Sequence, residues 1–136
     1  MKTLTLEGDI ASADTLTRLT TQGSVTAPSL VTPADTTKIQ TLIVAATTEG
    51  LADGAQTYFV RIGGNAVKNG EQVIMISSVG RIAPQAGSDS APQLMSPLIL
   101  NDLDIEVGPS DTISVAIEGA GTDTGTGHAA VTVVFA

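Results

Sequence analysis

Hydrophobic and polar residues alternate at period two through much of this chain and predict no helix of normal size; residues 12–15 could cap a short helix or turn and 15–20 could instead be a strand, which periodicity does not decide. The organising segment is residues 96–119, SPLILNDLDIEVGPSDTISVAIEG. Ile99, Asn101, Leu103, Ile105 and Val107 fall on one side and Asp102, Asp104 and Glu106 on the other, with Leu98 and Leu100 blurring that second face at its start. Gly108-Pro109-Ser110-Asp111 punctuates the run, and Ile113, Val115 and Ile117 resume the alternation. The pattern predicts a hairpin with one buried face.

The rest of the chain reads in the same way. Leu4 and Leu6 mark a first strand, and residues 38–46 form another whose Leu42-Ile43-Val44 centre is apolar on both faces, as in a strand covered on both sides. Residues 57–62 and 71–77 are two more, and Asn69-Gly70 between them predicts a type I′ hairpin turn. Residues 79–93 read as a long exposed loop and 119–127 as a glycine-rich turn, before a closing strand in which Val131, Val133 and Phe135 point one way. About eight strands of unequal spacing without a helix predict an all-β fold, a single β-sandwich over 1–136 with jelly-roll or Greek-key topology. Residues 1–35, which include prolines at 28 and 33, are expected to form an N-terminal arm lying on a neighbouring subunit or an ordinary edge strand. Under the arm expectation, removing them leaves a soluble sandwich that assembles less well.

Composition narrows the chemistry. The 136 residues contain no cysteine and one histidine, which removes disulfides, thiolate metal sites and a cysteine nucleophile. The net charge of −8 repels phosphate backbones and anionic membranes, so direct nucleic-acid and membrane binding are not expected. The apolar runs are strand-sized, and the N-terminus lacks a signal-peptide core.

Three features have residue types that could form a site. Asp102, Asp104 and Asp111 could offer oxygens to a calcium ion, but strand carboxylates two apart lie roughly 7 Å from each other, so a solvated acidic face is the favoured reading. Asp102 and Asp104 could instead pair with basic residues of a neighbouring subunit. His128, near Asp123, reads as a loop histidine, because no nucleophile-elbow motif accompanies it. Of the adjacent Tyr58 and Phe59 at most one can face outward, which leaves a single-aromatic platform for a sugar at best. No catalytic site and no cofactor are expected.

The short Val/Ile/Thr strands, the PLILNDLDIEVGPSDTISVAIE segment and the closing AAVTVVF strand resemble the small single jelly-roll proteins of viral particles, including decoration, cement and minor capsid proteins of tailed bacteriophages and archaeal viruses. The resemblance covers the C-terminal two thirds and is one of style. It implies a structural protein made in the host cytoplasm and placed on the capsid surface. It also implies a homo-oligomer, often a trimer, that binds a capsid protein lattice by surface complementarity. A carbohydrate- or receptor-binding sandwich, such as an adhesin or tip domain using loops 79–93 and 119–127, is the alternative.

Overall fold

The computed structural model describes residues 2–10, 16–18, 20–21, 30–49, 55–80, 93–120 and 126–136, and these contain strands and no helix. The strands are β1 (Lys2–Ile10), β2 (Leu16–Arg18), β3 (Thr20–Thr21), β4 (Leu30–Val31), β5 (Lys38–Glu49), β6 (Ala55–Gly63), β7 (Gln72–Gly80), β8 (Gln93–Leu100), β9 (Ile105–Glu106), β10 (Thr112–Ala120) and β11 (Thr126–Phe135). One sheet has the order β3-β1-β11-β5-β8, with β9 continuing beside β5; the other has the order β2-β10-β6-β7, with β4 beside β10. All pairings are antiparallel.

The pairing is nested. β1 pairs with β11, β2 and β4 with β10, β5 with β8, and β6 with β7, and successive pairs alternate between the two sheets. One long antiparallel ribbon folded over and rolled once produces this order, which is the jelly roll that the strand count predicted. The two inner faces meet in one core. Leu6, Leu42, Val44, Val131, Val133 and Phe135 come from the first sheet, and Val60, Ile62, Ile113, Val115 and Ile117 from the second. Ala66, Val67 and Val107 close one end, where Val67 and Val107 form an isolated bridge.

The described parts of residues 1–35 pair within the chain. β1 makes a continuous ladder with β11 from Lys2↔Phe135 to Ile10↔Gly127 and is flanked on its other side by β3. Leu6 and Leu30 are core residues.

The predicted hairpin at 96–119 is overturned. β9 pairs with β5 in the first sheet while β10 pairs with β6 in the second, so the 108–111 turn carries the chain across the sandwich. The predicted single face is also broken. Leu98 and Leu100 pack against the core and Ile99 is 56% exposed, the reverse of the expected phase. Residues 101–104 then leave the strand with Asp102 at φ 58°, and Leu103, Ile105 and Val107 turn inward. Aspartate tolerates the left-handed region better than most residues, so it can host this phase change. The partner strand is irregular at the same level. Thr41 lies opposite Val134 and Ile39 opposite Phe135, leaving Gln40 as an extra residue, whose carbonyl accepts the Leu103 N–H at 2.9 Å. That bulge lets Ile39 and Leu42, three apart, both face inward.

The type I′ turn at Asn69-Gly70 is corrected as well. Only Gly70 has a positive φ, 83°, whereas type I′ needs both residues there. β6 and β7 meet at Ile62↔Gln72, so the connection spans residues 63–71 and buries Ala66 and Val67 on its way. The apolar centre of β5 is explained by position: it lies between β11 and β8, with Leu42 and Val44 fully buried and Ile43 half-buried on the outer face.

Candidate functional site

The acidic stretch is spread out along one end of the sandwich. Asp102 lies exposed in the 101–104 segment between β8 and β9, and Asp104 is exposed with its Oδ1 3.5 Å from Lys38 Nζ. Asp111 turns its Oδ1 back to accept the Thr112 N–H at 2.7 Å. Among the described residues no group of three or more His, Cys, Asp or Glu side chains is arranged to hold a metal ion. The Lys38 contact lies within the chain, since Lys38 and Glu106 are partners across β5 and β9. Asp104 and Glu106 also border a cavity of about 60 Å³ with Val67, Asn69, Gln72 and Ile105. Such a volume holds a few waters.

His128 is a strand residue, which corrects its expected place in a loop. It sits in β11 directly opposite Asp9 of β1. Its Nδ1 is 2.9 Å from Asp9 Oδ1 and its Nε2 3.4 Å from Glu7 Oε2. Both carboxylates favour the imidazolium. The hydrogen bond to Asp9 is the largest influence, partial burial opposes it, Glu7 adds to it, and the balance raises the pKa above the ordinary histidine value. Asp123, the neighbour expected from sequence, lies outside the described residues. Nothing local in the sequence links Glu7 and Asp9 to His128. They are more than a hundred residues away, and only the β1/β11 register brings them to His128.

On the outer face of the second sheet, Arg61 of β6 bridges β10 and the residue just before β7. Its Nε donates to Glu118 Oε2 at 2.7 Å and its Nη1 to Glu71 Oε1 at 2.9 Å. These bonds, Glu118 first, raise the guanidinium pKa further. Val73, cross-strand from Arg61, is 49% exposed, and Phe59 is half-buried on the same strand as Arg61. The Tyr58 side chain and residues 81–92 lie outside the described residues; of the loop expected at 79–93, Val79 and Gly80 belong to β7 and Gln93 to β8.

The outer face of the first sheet is of a different kind. The registers place Thr5, Thr132, Ile43 and Ile99 in one row across β1, β11, β5 and β8. Thr5 and Thr132 share a hydroxyl hydrogen bond of 3.2 Å within it. Glu7, Ala130 and Ala45 lie in the next row and Thr3, Val134 and Thr41 in the row on the other side. The centre of this face therefore carries no charge, and its Glu7, Asp9 and His128 lie towards one end. Nothing in these groups assembles a nucleophile and base. What the central row offers is uncharged, β-branched contact area.

No family model matches the chain. No curated protein matches it. Eight chains of solved structures match, among them one from the "Structure of infectious bursal disease virus Gt strain". That chain is 16% identical, with a TM-score of 0.31, over 95% of this chain and 32% of its own length. The protein thus spans about a third of that viral chain, and a likeness at this score carries no argument about fold or role.

Proposed function

We propose that this chain is a structural virion protein: a capsid decoration, cement or minor capsid protein that binds a capsid lattice as a symmetric oligomer, a trimer in the proteins it resembles. The observation that carries the reading is the nested, rolled order of its two sheets, the architecture of capsid and lectin jelly rolls. The uncharged central row on the outer face of the first sheet supports it, because lattice proteins act through surface complementarity and need broad contacts. In this reading the protein has no catalytic role, is made in the host cytoplasm and ends on the capsid surface. Function is carried by contacts, and the core serves to keep the contact faces rigid.

The test is the mass of the purified chain by light scattering, with calcium and with a chelator, followed by a glycan array. A discrete oligomer indifferent to calcium and silent on the array is expected. A monomer whose melting temperature rises with calcium, or one that captures a defined glycan, would overturn the reading in favour of a carbohydrate-binding sandwich.

A further inference from the structure

We infer that the outer face of the first sheet is a two-fold contact between two copies of this chain, centred on the row Thr5, Thr132, Ile43 and Ile99. The inference rests on the oligomeric reading above in taking the partner to be a second copy. Exposure makes the row unusual. Ile99 is 56% exposed, yet it stands directly opposite Ile43 and continues a strip of threonine and isoleucine across four strands. A sheet face meant for water would be expected to carry lysine and glutamate at such positions.

The choice of a second copy follows from charge, symmetry and area. Each chain carries a net charge of −8, so most approaches between copies bring carboxylates together. The centre of this face is neutral and avoids that repulsion. A cationic partner would be drawn instead to Asp102, Asp104 and Glu106, which lie exposed at one end. A two-fold axis running along the row places β1 over β1 and β11 over β11 of the second copy with strands antiparallel, so the row meets itself. The Glu7/Ala130/Ala45 row then meets the Thr3/Val134/Thr41 row, alanines against larger side chains and Glu7 against a threonine, with the two Glu7 carboxylates on opposite sides of the axis. β1 and β11 are nine and ten residues long. With ordinary strand rise and spacing, the four long strands measure roughly 30 by 19 Å, or about 570 Å², and the short β3 and β9 extend the face at its edges. A standard stable interface takes roughly 800 Å² per partner. The available face is of the order that a dimer needs. A lattice protein with a separate three-fold contact would join neighbouring trimers through it.

Sedimentation equilibrium on the full chain and on Ile99→Lys tests this, with Val73→Lys on the other sheet as control. Two lysines brought together near the axis are expected to weaken self-association roughly a hundredfold, since like charges juxtaposed in an interface cost several kcal/mol. The control should leave it unchanged. Raising salt should tighten association of the unaltered chain by screening the net charge. The chain has no cysteine, so Thr132→Cys introduces a single thiol, which a short bismaleimide should join to the same residue of the second copy, while Val73→Cys should not be joined. If Ile99→Lys associates as tightly as the unaltered chain and Thr132→Cys is not cross-linked, this face is not the contact, although the oligomeric virion reading stands. A chain that stays monomeric at all concentrations and salts would overturn both.

Discussion

Replacing Thr32 by valine removes one oxygen from the junction that holds the 108–111 crossover, and its effect can be worked out from the structure. Thr32 is only 2% exposed. Its hydroxyl donates to the Gly108 carbonyl at 2.6 Å and accepts the Asp111 N–H at 3.1 Å. Its backbone forms two more bonds to the same turn, Thr32 N–H to Asp111 O at 2.9 Å and Ser110 N–H to Thr32 O at 3.1 Å. Valine keeps the shape and all backbone bonds but leaves the Gly108 carbonyl and the Asp111 amide without their partner. Each such group costs about 1–3 kcal/mol when fully buried. Gly108 and Asp111 are half-exposed, so water recovers part, and the low end, about 1 kcal/mol each, applies. The added methyl returns about 0.8 kcal/mol at most. The net loss is then about 1–1.5 kcal/mol, a fall of roughly 0.5–0.7 M in the urea midpoint at a slope of about 2 kcal/mol/M. Amide exchange gives a second readout: Asp111 N–H should lose protection in Thr32→Val and keep it in Thr32→Ser. Burial alone predicts the opposite sign, a slightly more stable valine variant. A midpoint for Thr32→Val equal to or above the unaltered chain, with Asp111 still protected, would refute the reasoning.

Other outcomes follow from particular positions. Gly64 has φ +97°, and a Cβ there would come 2.6 Å from Thr112 O and 2.9 Å from Ile113 Cα, whereas Gly70, at φ +83°, has open space around it. Gly64→Ala should cost more than about 3 kcal/mol or prevent folding, and Gly70→Ala only about 1–2 kcal/mol, the backbone cost of a left-handed residue. Thermal melts that rank the two equally would contradict that clash. His128 is the chain's sole histidine, so its imidazole resonances are unambiguous in an NMR titration. They should titrate above 6.5, and Asp9→Asn should lower the midpoint more than Glu7→Gln. Because the folded pKa is raised, the stabilisation is complete below the unfolded value and is lost as pH rises through the folded one. Accordingly, His128→Gln should lower the melting temperature near pH 5 and leave it unchanged near pH 9. Deleting residues 1–35 should abolish folding, read as loss of cooperative melting, because it strips Leu6 and Leu30 from the core and uncovers the full length of β11. The sequence-based expectation that the shortened chain stays soluble is thereby revised.

The sequence by itself determined the class of fold. Period-two alternation, β-branched composition and turn residues depend on neighbours a few positions apart, so the all-β sandwich and the inward set Val131, Val133 and Phe135 were legible from one strand at a time. Tertiary structure decided what depends on a distant strand. The phase of residues 98–107 could not be read locally, because Leu98 and Leu100 face inward only by pairing with Val44 and Leu42, and the switch at Asp102 is matched by the extra Gln40 on β5. For the same reason 96–119 looked like a hairpin. A turn between two alternating runs has the same local pattern whether the runs pair with each other or with strands of opposite sheets. The surroundings of His128 and the neutral row Thr5, Thr132, Ile43 and Ile99 were invisible in the sequence, since the first exists only once β1 is in register with β11 and the second only once four separate strands are.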